Sequence, residues 1–249
     1  MRRLKVIAAI CGVGLGFAAA PAAHAGTFNF IPEEEGEIKT NLGCLDPTQC
    51  MTIDGVTINS LDIDPNDDFG QSRLFVDKKG TDNNYTDGMV SISFDSTDTG
   101  TNESGGYWLR AAAIKNDGTT PQGGQLETGL FEFVFEDAVD KITLDFFDIE
   151  GSAGETGIVS LNGQTYDGVF DEQGDNISQQ LTLENVTSFT IRLGDYDSFN
   201  GNGDGVTISA FETSKEFAKA VPEPTTTFSL GALAVAGMFG VKKRKKLKK

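Results

Sequence analysis

The chain of 249 residues carries 20 basic and 37 acidic groups, a formal charge of −17. Three basic groups lie in residues 1–25 and seven in residues 242–249, which leaves 10 basic and 36 acidic groups in residues 26–220 and a body charge of −26. A body this acidic has no basic footprint for a phosphate backbone, which argues against nucleic acid as a partner.

Residues 1–25 read as a secretory signal peptide. Arg2, Arg3 and Lys5 form the positive region, and Val6 to Ala20 form the apolar stretch. Ala23-His24-Ala25 supplies the small residues of a cleavage site, so cleavage is expected after Ala25. The apolar run is short for a membrane span, which needs ~20 residues.

Residues 26–215 read as one β-rich domain. Val56-Thr57-Ile58, Val90 to Phe94, Phe131 to Phe135 and Ile142 to Phe146 alternate at period two. So do Leu181-Thr182-Leu183 and Phe189 to Leu193, and Val206-Thr207-Ile208 closes the series. One apolar face per strand is what a sheet packed on one side requires. Asp54-Gly55, Asp87-Gly88, Asp117-Gly118, Asn162-Gly163 and Asp204-Gly205 mark turns. Asn162-Gly163 lies between Ile158–Leu161 and Gln164–Tyr166 and predicts a tight hairpin. Thr213 to Ala220 reads as a short helix or as the linker to the tail. Many short strands with short turns predict an all-β fold, an antiparallel β-sandwich or jelly roll. Fifteen of the 18 phenylalanines lie in the body, most at alternating apolar positions, and read as core.

Cys44 and Cys50 are the two cysteines left after cleavage, and in an oxidising compartment they are expected to pair. Asp46-Pro47 between them suits a type I turn that brings the ends together.

The chemistry available to the body is narrow. His24 is the only histidine and lies in the leader, so a Ser-His-Asp triad, a Cys-His pair and histidine metal ligands are not expected in the mature domain. Acid-only glycoside hydrolysis needs two carboxyl groups ~5–9.5 Å apart. Asp148 and Glu150 would point to one side of a regular strand, and Glu127 and Glu132 are further candidates. Calcium is the stronger expectation, because hard cations take several oxygen ligands from loops. Asp195, Asp197, Asn200, Asn202 and Asp204 are spaced between glycines in one loop, which Asp148 or Glu150 could complete. An EF-hand is rejected: read from Asn200, the twelfth position is Phe211. The alternative is an ordinary acidic turn. Asp62-Ile63-Asp64-Pro65-Asn66-Asp67-Asp68 follows the same logic. Trp108 could stack on a sugar ring or serve the core; on a strand Tyr107 faces the other way.

The tail is divided into residues 216–227, 228–241 and 242–249. The first holds Val221-Pro222-Glu223-Pro224, an extended segment because of its prolines. The second, Phe228 to Val241, is apolar and short but usable as a membrane helix. The third is the basic cluster, which is expected to stay in the cytoplasm. This motif, single span and basic end together resemble the PEP-CTERM sorting signal of exported bacterial proteins. The resemblance implies recognition by an exosortase, a membrane cysteine transpeptidase that cuts near the motif. It also implies a Gram-negative-type envelope, transient inner-membrane anchoring, and association with exopolysaccharide or biofilm matrix. Gln125-Leu126-Glu127-Thr128-Gly129, followed by Phe131-Glu132-Phe133, is similar to the signature of LEVG-family PEP-CTERM proteins, with Thr128 where that name places valine. Neither resemblance supplies a catalytic residue. The expected role is a non-enzymatic component of the cell surface or extracellular matrix. A calcium-dependent carbohydrate-binding module and an acid-only glycan hydrolase are the alternatives.

Overall fold

Period-two alternation becomes twelve strands among the described residues, and none of these residues is in an α-helix. The computed structural model describes residues 25–26, 30–63, 69–100, 106–121, 126–149, 156–171, 177–194 and 206–216. The leader up to His24, the tail with Val221, Pro222, Glu223 and Pro224, and the loop bearing Asp195, Asp197, Asn200, Asn202 and Asp204 lie outside the described residues. Glu150 and residues 64–68 do so too.

The strands are β1 (Ala25–Gly26), β2 (Gly36–Ile38), β3 (Val56–Leu61), β4 (Phe69–Lys78), β5 (Asn83–Asp87) and β6 (Val90–Phe94). They continue as β7 (Tyr107–Lys115), β8 (Gly129–Phe147), β9 (Thr156–Leu161), β10 (Gln164–Phe170), β11 (Ser178–Leu193) and β12 (Thr207–Glu216). The main sheet runs β10-β9-β11-β8-β12-β7-β4-β2, with β3 paired to β8 and β1 paired to β12. β5 and β6 form a separate hairpin. All these strand pairs are antiparallel. The fold is all-β and antiparallel.

Two strands are longer than the alternation suggests. The runs 131–135 and 142–146 are parts of the 19-residue β8, and the runs 181–183 and 189–193 are parts of the 16-residue β11. β8 and β11 pair along their whole lengths, with a register shift between Val186 and Ser188. Residues Glu136 to Ala138 are exposed there, so polar side chains interrupt the apolar pattern without ending the pairing. The first half of β8 takes β3 on its other edge, and the second half takes β12. Thr213 to Glu216 is the end of β12 rather than a helix, because Thr213 pairs with Ile142 and Ser214 with Lys141.

The core follows from the alternation. Leu74 and Val76 of β4, Leu109 of β7, Ile208 of β12, and Leu144 and Phe146 of β8 are buried in one apolar cluster. Phe133 and Phe189 stack at 4.8 Å within it, and Phe30 packs 5.4 Å from Phe133. The opposite face of β4 and β7 carries a second cluster of Phe75, Ala112, Ile92 and Phe94, with Tyr85 against it. The β5–β6 hairpin therefore covers the outer side of β4 and β7.

The β9–β10 hairpin shows how one residue fixes a turn. Asn162 and Gly163 have φ of 52° and 73°, as a type I′ turn requires of both central residues. The Asn162 side-chain oxygen accepts from the Thr187 N–H at 2.7 Å, the Thr187 hydroxyl at 2.9 Å and the Ser188 N–H at 3.2 Å. Its amide donates to the Asn185 carbonyl at 2.8 Å. The hairpin tip is thus tied to the bulge of β11. Asn162→Ala should lose ~2 kcal/mol in urea denaturation, because several partners are left unpaired at once. A change below ~0.5 kcal/mol, the range of ordinary surface substitutions, would show that the side chain does not hold the tip.

Candidate functional site

Strand register sets the most concentrated charge of the described body. β4 and β7 pair Phe75 with Arg110 and Asp77 with Trp108. Opposed residues share a face, so Asp77 and Arg110 both rise on the side covered by the β5–β6 hairpin. The Arg110 guanidinium donates to Asp77 at 2.8 Å and to Asp98 at 2.6 Å, both from Nη1. Its Nη2 donates to Glu127. The Phe94 ring lies 4.3 Å from the guanidinium carbon. Arg110, Asp77 and Glu127 are 5%, 1% and 4% exposed, so this one cation is held by carboxylates from β4, from the loop after β6 and from the segment before β8.

The protonation of the cluster follows from burial. Burial opposes the charge on Arg110, but Glu127 and then Asp98 hold it above its ordinary range. Burial pushes Glu127 up to about 7, against the pull of Arg110, and the like charges of Asp98 and Asp77 add to the rise. Asp77 is raised for the same first reason, with Arg110 opposing. One guanidinium cannot neutralise three carboxylates, so burial raises both Glu127 and Asp77 despite their shared cation.

A second ion pair lies on the neighbouring strand. Arg73 of β4 donates to Glu37 of β2 at 2.5 Å, and the Leu45 N–H donates to the other Glu37 oxygen at 2.6 Å. Burial raises the Glu37 carboxyl despite these two partners. Leu45 opens the loop closed by the Cys44–Cys50 disulfide, whose Cα atoms are 5.7 Å apart. Inside this loop the Asp46 carboxylate accepts from the Thr48 N–H at 2.8 Å and the Thr48 hydroxyl at 2.7 Å, which builds the turn. Glu37 therefore ties the disulfide loop to the sheet.

Between this loop and the β5 strand lies a cleft of about 860 Å³, lined by Glu34, Glu35, Glu37, Asp46, Gln49 and Tyr85 among others. Among the described residues four carboxylates and no lysine, arginine or histidine face it. Glu35 is held by the Thr81 hydroxyl and by the Asn83 amide at 2.6 Å. The Tyr85 phenol is pushed up to about 12 by burial and then by Glu35, Asp77 and Glu37, so it remains a hydrogen-bond donor at physiological pH. The cleft can hydrogen-bond a polar ligand and disfavours an anionic one.

The residues singled out from the sequence separate here. Glu127 is a partner of Arg110, while Glu132 accepts from Asn59 at 3.0 Å on the β3–β8 edge. Asp148 lies one residue beyond the end of β8 with φ of 66°, so the regular-strand placement beside Glu150 does not hold. Trp108 is 1% exposed, which removes it as a sugar platform. Ala25 pairs with Glu216 in β1, and Ala23 lies outside the described residues. Among the described residues no three His, Cys, Asp or Glu side chains are grouped to hold a metal ion. Sequence reasoning missed Arg110, Asp77, Asp98, Arg73 and Glu37. The available signal was Arg110 itself, the one charge inside Trp108-Leu109-Arg110-Ala111-Ala112-Ala113. No protein family, curated protein or solved structure matches the chain.

Removing one member of a buried charge group leaves the others uncompensated. Arg110→Met should lower stability by ~3–5 kcal/mol in urea denaturation at neutral pH. Acidification should restore part of that loss, because protonation removes the stranded negative charge. A variant as stable as the parent at neutral pH would contradict this role.

Proposed function

We propose that the chain is an exported, non-enzymatic component of the cell surface or extracellular matrix of a Gram-negative-type bacterium. In this reading it crosses the inner membrane, is anchored there transiently and is processed by an exosortase. The observation that carries the proposal is the order of Val221-Pro222-Glu223-Pro224, the apolar run Phe228 to Val241 and the basic cluster from Lys242 to Lys249. The acidic body and the basic ends support it, since the two ends have the charge of transport signals and the body does not. The Cys44–Cys50 disulfide supports it as well, because such bonds persist in oxidising compartments.

The domain architecture belongs to the same reading. Phe146 of β8 lies 4.9 Å from Phe170 of β10, although β11 and β9 separate these strands in the sheet order. A sheet that brings such strands together folds over its own core, as in a β-sandwich or jelly roll. The non-enzymatic assignment draws on the buried acids, since Asp77, Glu37 and Glu127 are engaged by arginine.

Intact mass spectrometry of protein recovered from the cell exterior tests the sorting reading. The expected species begins at Gly26 and ends near Val221–Pro224. A chain that ends at Lys249 would overturn it.

A second reading is a calcium-dependent carbohydrate-binding module, with calcium held by the 195–204 loop. The polar cleft beside Tyr85 favours it over a hydrolase, because it offers hydrogen-bonding groups around one aromatic ring. Exopolysaccharide is the partner in this reading, with divalent cations bridging acidic chains to the acidic body. A glycan array with and without chelator separates the two readings. Selective binding that chelator abolishes supports the module, and no selective binding supports the matrix component.

A further inference from the structure

Trp108 is the only tryptophan of the chain, and its indole is 1% exposed. Its N–H has no hydrogen-bond partner among the described residues. The segment from Asp95 to Gly100 reaches it through Gly100. Gly100 packs so close to the indole that a methyl group there would overlap the ring. This segment has a compact internal structure: the Asp98 N–H donates to the Asp95 carbonyl at 2.9 Å, and the Asp95 N–H donates to the Asp98 carboxylate at 2.8 Å.

Two hydrogen bonds anchor it to the rest of the described body. The Ser96 N–H donates to Asp82 at 2.7 Å, and Asp98 accepts from Arg110 at 2.6 Å. Of the three carboxylates on Arg110, Asp98 is the most exposed, with 24% side-chain exposure against 1% for Asp77 and 5% for Glu127. It is the member that can leave for water at the smallest cost in packing.

We propose that residues 95–100 form a proton-controlled cover over Trp108, closed while the Arg110 cluster holds a proton and released when that proton is lost. With all three carboxylates ionised, the cluster carries a net charge of −2 in a site with little water. Moving Asp98 out relieves it. The charged groups facing Glu127 are Arg110 from β7, Asp77 from β4 and Asp98 from the cover, and β6 contributes the Phe94 ring. Asp95 and Asp82 are acids at the solvent end of the cover. Lys78 is turned away, with its ammonium 5.0 Å from the Tyr107 ring on the other face of β4 and β7.

The direction of the response follows from linkage. Glu127 sits at about 7 in the closed form against an ordinary 4.5. Asp98 is one of the like charges that raise it, so releasing Asp98 lowers the value, and the closed form binds the proton more tightly than the open one. The advantage of the closed form is therefore present in acid and is lost as pH rises through about 7.

Acrylamide quenching of Trp108 emission in the full-length protein reads the cover directly. The expected result is a shielded indole at mildly acidic pH and a severalfold rise in quenching by mildly alkaline pH, with unchanged far-ultraviolet circular dichroism. Glu127→Gln, a neutral mimic of the protonated acid, should stay shielded throughout. Amide exchange in the parent gives a readout that no variant can spoil: residues 95–100 should lose protection, beyond the intrinsic pH effect, over the same interval. Constant shielding in the parent, an identical transition in Glu127→Gln, or retained protection at 95–100 would each overturn the proposal.

Discussion

A buried guanidinium must be paired, and this requirement organises one side of the molecule. Arg110 sits in the middle of β7, between Leu109 and three alanines, where the flanking positions are almost fully buried. Its partners come from Asp77, Asp98 and Glu127, which are far apart in the chain. A charge moved out of water costs several kcal/mol unless its partners are well placed (roughly that much per ion), so the two buried partners, Asp77 and Glu127, must arrive correctly for the middle of β7 to be buried. The same contact fixes the loop after β6, the entry into β8 and the seating of the β5–β6 hairpin, whose Phe94 ring covers the guanidinium. Apolar packing of Phe75, Ile92 and Ala112 supplies the attraction between these layers, and the ionic cluster supplies their alignment.

Six acids of the body fall into two groups with opposite responses to pH. Asp46, Asp95 and Asp117 are exposed, and each accepts from the hydroxyl and N–H of the threonine two residues on, which holds its carboxyl below the usual range. Their contribution is present above the ordinary value of 3.8 and fades as pH falls below it. Glu127, Asp77 and Glu37 are raised by burial, so their contribution is greatest in acid and declines as pH rises. The turns and the buried clusters are therefore jointly best satisfied in mildly acidic solution.

Local features of the fold were legible wherever chemistry acts over a few residues. Asn162-Gly163 marks its turn because both positions need positive φ. Asp46-Pro47 marks the bend inside the disulfide loop, and the alternating phenylalanines mark the core. β4 and β7 were harder to read because both of their faces are covered, so Arg73 to Asp77 and Trp108 to Ala113 lack simple alternation. The continuity of β8 and β11 was hidden by polar residues at a bulge, which a sequence pattern cannot distinguish from a turn. The ionic cluster needed the register of β4 against β7, a long-range property. Glu127 stood out as part of a recognisable segment, yet its partner was set by tertiary structure.

The coupling between Arg110 and Glu127 tests the central role of the cluster most directly. A double-mutant cycle with Arg110→Met, Glu127→Gln and the combined variant, read by urea denaturation at neutral pH, isolates it. If the guanidinium aligns these segments, the two substitutions should be non-additive by ~1–3 kcal/mol, the range found for residues in one buried network. Additivity within ~0.5 kcal/mol, as found for independent sites, would contradict the account.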